Sequence, residues 1–570
     1  MKRSSAVLLL ILLATAAQAA LTPTELHSTA VDFYHWRESN FPVWSSDQGL
    51  HSLDASLTDY SSAAIAKRRA HVESLLQQIN AADITSWSKD DQIDWILFRA
   101  QLERFDFDRR VLHPEETDPG TYVSEASNAI FSLLKKEYDA PAVRAAAAAA
   151  RFRVMPKMFA DARRNLVQPV HLYATLAIES ARSIDPLFIQ SVEPLRRSLD
   201  DTHRASFDAA RDEAIKSVHD FADWLEKRLP SMPEWKPMGE ANYNEMLRRI
   251  LLLPLDAHDL ANLGEVELVR YRALESMLPD PSLADPDPRR AASIPADQQA
   301  FLAAYQSRLD EIVRFLRDKR LVTIPDFVGA FQIRQLPEAF KPTSPGGFMN
   351  PPGLYDRDNG GFYFIPTYDP KSRNFYIRAA IEDPRPILGH EGIPGHFLQI
   401  SIANKNADEI RRHHDDSVFE EGWALYGEEM MLREGLYPEN SAGAAQILRL
   451  SRYRSARIGV DVNLHTGRWS FEQAVKYFMD GGGLDRESAT GEAAGAATEP
   501  TQKISYITGK WQIMRLLGKY RDRKGAEFRL GQFHDDLIAN GSLPLSVIEW
   551  IILDDPSTLE GVVGRKLRRD

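Results

Sequence analysis

Between residues 23 and 278 apolar positions recur at three- and four-residue spacing, as in "AAIAKRRAHVESLLQQI", "APAVRAAAAAARFRVMPKMFADARRNL" and "FDAARDEAIKSVHDFADWLEKRL". That period turns one face of a helix toward a core, so the segment predicts a succession of amphipathic helices. Alanine is the strongest helix former, and the run at 145–150 reads as a closely packed helix face. Breaks are predicted at "HPEETDPG" (113–120), "SMPEWKP" (231–237) and the proline-rich "PDPSLADPDP" (279–288), the best candidate for a linker. After one more helix near 296–320 the texture changes. "LVTIPDFVGAFQIRQ", "GGFYFIPTYD" and "RNFYIRAAI" mix β-branched and aromatic residues with Gly and Pro turns, which predicts a small antiparallel sheet. Helical spacing then returns to the end of the chain. The expected fold is mainly α, with a leader at 1–19, an N-terminal helical region at 20–290, and a region at 291–570 holding the sheet and the motifs below.

The first residues, "MKRSSAVLLLILLATAAQAALTP", combine a basic start, an apolar run from Ala6 to Ala14 and a small-x-small end at Ala17-Gln18-Ala19. This is the pattern of a secretory signal peptide, and the run is shorter than a membrane span requires. No later stretch is apolar enough to span a bilayer, so a periplasmic or secreted protein is expected. With 81 Asp and Glu against 69 Lys and Arg, the chain lacks the positive charge that nucleic acid or anionic membrane partners need. It contains no cysteine, which removes disulfides, thiolate catalysis, a lipid-modified N-terminal cysteine and Cys-based zinc sites. Any metal must be held by His, Asp or Glu.

Against that background "HEGIPGHFLQ" (390–399) stands out, because it differs from the zinc signature H-E-x-x-H by two inserted residues. In the signature the histidines lie four apart, about 40° around the helix, so both reach one metal while the glutamate addresses its water. His390 and His396 are six apart, about 240° on a regular helix, and a straight helix points them apart. The insertion, however, makes "GIPG", a proline flanked by glycines, in which the chain can bulge and bring His396 back to the face of His390. The competing reading is an ordinary turn between two unrelated elements.

A third ligand is available downstream. In "SVFEEGWALYGEEMM", Glu421, Ala424, Leu425 and Glu428 share one helical face, and Glu421 follows His396 by 25 residues, a gap that suits two packed helices joined by a loop. Glu420 is its competitor, and Gly422 permits close approach. His413 and His414 in "RRHHDD" read as a solvated stretch. In "RIGVDVNLHTGRW", Arg457, Asp461 and His465 fall on one helical face, with Asp461 placed to orient His465, although strict apolar alternation keeps a strand open. Tyr506 in "PTQKISYITGKW" enters a further helix, where a buried phenol has a structural reading too.

In that order, "HEGIPGHFLQ", "FEEGWALYGE", "RIGVDVNLH", "PTQKISY" and "FHDDLIANGSLPL" resemble the bacterial family catalogued as domain of unknown function 885. The family is similar in layout to the helical zinc peptidases that include thimet oligopeptidase and angiotensin-converting enzyme. The resemblance implies zinc held by His390, His396 and Glu421, with Glu391 as general base. It also implies a two-lobed helical body with a deep active-site channel, a cleft-edge strand to hold an extended peptide, Tyr506 and His465 steadying the oxyanion, and Arg457 as a substrate-binding residue. One departure is that "GEAAGAATEP" stands where the family commonly carries an arginine before its P-x-Q. The function expected is hydrolysis of oligopeptides. Two other readings stay open: a non-catalytic periplasmic peptide-binding protein on the same fold, and a serine acyl-enzyme using Ser132 and Lys135, with Ser372-Arg-Asn374 and His465-Thr-Gly467 as its further motifs.

Overall fold

The structure is a computed structural model that describes residues 21–278, 280–337, 347–438 and 441–569. The leader expected at 1–19 lies outside the described residues. The chain is mainly α-helical, and local chemistry sets where its helices begin. The first, α1 (Pro23–Asn40), opens with a reciprocal cap between Thr22 and Glu25 and proline in its first turn. The alanine run lies in α2 (Pro141–Asn165), where Ala145, Ala147, Ala148 and Ala149 are buried. It packs along α3 (Asp201–Arg228), with Phe152 and Phe159 against Phe207 and Phe221. Small side chains on one helix allow the large ones of the other to fill the interface.

A larger core joins the two halves of the sequence. Leu26, Phe33 and Phe98 belong to the same apolar cluster as Leu316, Phe397, Trp423 and Trp550. The proline-rich stretch near 279–288 is likewise tied in, because the Leu283 carbonyl accepts from buried Arg449, and Arg290 pairs with Glu382 at 2.7 Å. Among the described residues no helix is long and apolar enough to cross a membrane.

The sheet has three strands, β1 (Phe331–Gln335), β2 (Phe348–Asn350) and β3 (Gly361–Ile365), in the order β1-β3-β2. It is mixed, not antiparallel as expected: β2 runs antiparallel to β3, but β1 runs parallel to it. Neither connection is a tight hairpin, and the chain between β1 and β3 is long enough for β1 to lie along the opposite edge in the same direction. The residues of "RNFYIRAAI" also depart from expectation. Asn374 accepts from the amides of Tyr376 and Ile377 and starts a helix, Phe375–Glu382. An Asn N-cap outweighs the strand propensity of Phe, Tyr and Ile there. β1 and β3 both press on the histidine motif: Phe331 stacks on Phe397 at 4.8 Å, and Gly361 lies against the same ring.

Candidate metal centre

The motif is two short helices, α4 (Arg385–Glu391) and α5 (His396–Ala403), separated by the four residues Gly392-Ile393-Pro394-Gly395. Within the bend the Gly395 amide donates to the Gly389 carbonyl at 2.9 Å and the Leu398 amide to the Gly392 carbonyl at 3.3 Å. Each bond spans six residues where a regular helix spans four, so six residues now do the work of one turn. The Ile393–Pro394 peptide is cis. A Cβ on Gly395 would stand 1.8 Å from the His390 carbonyl oxygen, so only glycine permits this closure. Trp423 fastens the bend by donating to the Pro394 carbonyl at 2.7 Å.

As a result the two imidazoles meet. Their centroids are 4.7 Å apart with planes at 87°. Each Nε2 lies 3.3 Å from the same Glu421 oxygen, Oε2, on α6 (Ser417–Arg433). Glu421, not Glu420, completes the cluster; Glu420 points elsewhere and accepts from Ser542 at 2.6 Å. Three ligand atoms thus lie within 4.8 Å of one another.

Glu421 Oε2 is buried yet has no hydrogen-bond partner, although two ring nitrogens are 3.3 Å away. An orphaned buried carboxylate oxygen is costly, and a cation at the point where the three atoms converge would resolve it. Two nitrogens and one oxygen, with no sulfur, are a donor set that zinc accepts in open sites. The residues present therefore fit a metal. Two other groups of His and Asp come equally close among the described residues. In one, Arg411 already lies 2.8 Å from Asp94 while Asp408 caps a helix turn; in the other, Asp256 caps a helix through two amides. Their carboxylates already have partners.

Around the cluster the charges are ordered. His390 donates from Nδ1 to Glu428 Oε1 at 2.8 Å, one face and seven residues along α6 from Glu421. Glu428 in turn takes the guanidinium of Arg454 at 3.0 Å. Burial and the Arg454 cation push the His390 imidazole down, but Glu421 and Glu428 outweigh both and bring it up to about 9. Burial likewise opposes ionisation of Glu421, yet the two imidazoles hold its carboxyl well below the usual range. A histidine whose second nitrogen is committed to a carboxylate is fixed in ring orientation and tautomer.

Tyr506 begins α8 (Ser505–Lys524), which follows α7 (Ala442–His465). Its ring lies parallel to His390, 6.2 Å away at 12°, with the Arg457 and Arg454 guanidinia over it at 4.8 and 5.4 Å. Burial pushes the phenol pKa up, so the hydroxyl stays protonated. Two helices approach backbone to backbone to put it there: a Cβ on Gly422 or Gly509 would meet the facing helix at 2.5 or 1.8 Å. Glu391 ends α4, half-buried; the Tyr363 phenol of β3 is raised chiefly by burial, with the nearby Glu391 charge adding to it.

Other expected residues sit differently. The 457–465 stretch is helix, not strand. Asp461 does not orient His465; its carboxylate accepts from Tyr243 and from the amides of Thr501 and Lys503, pinning the turn that leads into Tyr506. His465 is buried between Tyr243 and Trp235 and donates to the Ala496 carbonyl at 2.8 Å, so its partners lie away from His390, His396 and Glu421. Arg457 is engaged by Glu492 at 3.0 Å and by Tyr453. His413 and His414 are buried, not solvated, and burial brings both down to about 4. Ser132 is buried and accepts from Arg151 at 2.9 Å, while Lys135 is paired with Asp47, so the two do not form a nucleophile and base. Glu428 and Arg454 are the site residues that sequence reasoning left without a role. The signal for Glu428 was its place on the Glu421 face; for Arg454 there was none beyond its position three residues before Arg457.

The helices and the cluster define a class: a mainly α protein with a His–His–carboxylate site built on a bulged helix. The chain belongs to the family described as bacterial protein of unknown function (DUF885), which it matches over residues 42–552. Two solved structures share the fold. A candidate lipoprotein of unknown function from Shewanella oneidensis is 21% identical with a TM-score of 0.75, covering 94% of this chain and 100% of its own. A candidate lipoprotein from Colwellia psychrerythraea is 18% identical with a TM-score of 0.76, covering 93% and 98%. No curated protein matches the chain.

Proposed function

We propose that the protein is an exported zinc metallopeptidase acting on oligopeptides. The observation that carries the reading is the convergence on one point of His390 Nε2, His396 Nε2 and a buried Glu421 oxygen that both rings approach without a hydrogen bond, across a bend that regular helix geometry forbids. His390, His396 and Glu421 would hold the metal. When bound, zinc in such a site acidifies water and polarises a carbonyl. Glu391, the residue after the first ligand, takes the proton of the attacking water and returns it to the leaving amine. Its carboxylate has no competing hydrogen bond among the described residues. Tyr506, kept protonated by burial, donates to the carbonyl oxygen as charge develops there. Glu428 keeps the His390 ring oriented through its Nδ1 hydrogen. His396 and Glu421 retain 12% and 17% side-chain exposure, so the cluster is not fully sealed from solvent.

The test is metal analysis of the purified protein together with cleavage of a mixed peptide library by wild type and Glu391→Gln. Stoichiometric zinc in both, with cleavage reduced by two or more orders of magnitude in the variant, is expected. A zinc-free active protein, or a Glu391→Gln variant as active as wild type, would falsify the assignment.

A further inference from the structure

A cavity of about 200 Å3 is walled by Ile400 and Ala403 of α5 and Glu420 of α6, and closed in part by the segment after β2. Three of its wall residues carry buried polar atoms with no partner: Arg37 Nε, Arg412 Nε and Asn350 Oδ1. Arg37 is the most unusual. Its guanidinium lies over the Trp44 ring at 4.3 Å and over Tyr34 at 5.2 Å, with no ion pair and no side-chain hydrogen bond among the described residues. A half-buried guanidinium offers five donors in a planar fork that matches a carboxylate, and leaving it without an acceptor is costly. The neighbouring cations are already paired, Lys135 with Asp47 and Arg412 through Nη2 with Glu409, so among the described residues Arg37 is the cation of this wall without an ion pair.

The remaining groups decide between kinds of anion. Asn350 Oδ1 is an acceptor awaiting a donor, and Asp415 stands exposed at the rim. A simple carboxylate brings only acceptors, and inorganic phosphate, though it keeps a hydroxyl donor, brings no positive charge for Asp415, so neither suits both groups. A ligand with an oxyanion at one end and an ammonium at the other matches all of them, and the volume is below that of sites for drug-sized ligands. We propose that this cavity binds a free α-amino acid, with its carboxylate on Arg37 and Arg412 and its ammonium on Asn350 and Asp415. The inference does not depend on a metal at His390.

The experiment is calorimetric titration of the full chain with glycine, L-leucine and L-arginine, beside acetate, methylamine and inorganic phosphate as single-group probes. Because amino acids chelate metals, it is run on protein dialysed against EDTA and repeated with His396→Ala. At least one amino acid is expected to bind one-to-one in both, tenfold or more tightly than any single-group probe. Arg37→Gln should weaken it at least tenfold. Asn350→Leu, which removes an acceptor but no charge, should weaken the amino acid while leaving acetate unchanged. The proposal is overturned if no amino acid binds, if phosphate or acetate binds as tightly, or if binding disappears with His396→Ala. It is overturned equally if the folded Arg37→Gln and Asn350→Leu variants keep wild-type affinity.

Discussion

Glu428→Gln tests whether the second carboxylate of α6 supports the proposed metal site. Glu428 accepts from His390 Nδ1 at 2.8 Å and from Arg454 Nη1 at 3.0 Å, and all three side chains are buried. A glutamine keeps one acceptor oxygen and turns an NH2 toward one of the two donors. Both donors share Oε1, and Arg454 Nη1 also reaches Oε2 at 3.2 Å. With the amide oxygen at Oε1 the NH2 faces a still-charged Arg454; with it at Oε2 the NH2 faces His390 Nδ1. In either case the negative charge behind His390 and opposite Arg454 is gone. Loss of a partner behind a metal-bound histidine typically costs about 10- to 100-fold in metal affinity, which is about 1.4 to 2.7 kcal/mol. Stranding a buried cation costs about 3 to 5 kcal/mol of stability. The two effects separate in a double variant. Arg454→Leu added to Glu428→Gln removes the stranded charge, so urea unfolding should recover most of the lost stability. Zinc affinity, measured by competition with a chromophoric chelator, should stay low, because the carboxylate facing His390 is still missing. If Glu428→Gln binds zinc within twofold of wild type, or the double variant regains full affinity, Glu428 does not act on the metal ligand and the reasoning fails.

Three further outcomes are expected. Gly395→Ala puts a Cβ 1.8 Å from the His390 carbonyl oxygen and must open the bend, so zinc should be lost and the midpoint of urea unfolding should fall; a variant with full zinc content removes the steric argument. Tyr506→Phe should lower kcat about 10²- to 10³-fold with zinc content and KM little changed, and a fall in zinc content instead would make the phenol structural. Burial raises the Asp416 carboxyl to about 7, above its unfolded value of 3.8. Between those values the folded state binds more protons, so Asp416 lowers stability as pH rises through that window. Asp416→Asn keeps an acceptor for the Phe419 amide that caps α6, and unfolding free energies from pH 4 to 8 should decline less steeply than in wild type. An unchanged slope refutes the assignment.

Much of the helical body is legible along the chain, because a helix declares itself within a few residues: the apolar period, the Thr22–Glu25 cap, the buried alanine face of α2. The residues of the cluster are legible too. His390, His396 and the Glu421 face are marked by residue type and spacing, and the GIPG insertion already contains the glycine that the bend requires. Where local signals compete, the sequence is a poor guide. Phe375–Glu382 has strand-forming residues behind a helix cap, and 457–465 alternates like a strand inside a 24-residue helix.

What only the tertiary structure decided is which groups become partners. Glu421 was separated from Glu420 by which one faces the two imidazoles, and Ser542, more than a hundred residues away, takes the other. Arg457 and His465 look like site residues until Glu492 and Ala496 engage them. His413 and His414 look solvated until Tyr34, Tyr355 and Gln101 cover them. The orientation of β1 depends on a chain reversal that no short motif encodes. The physical reason is common to all of these. Backbone periodicity is set by neighbours three and four residues away, whereas the ionisation, exposure and reach of a side chain are set by whatever the rest of the fold packs against it.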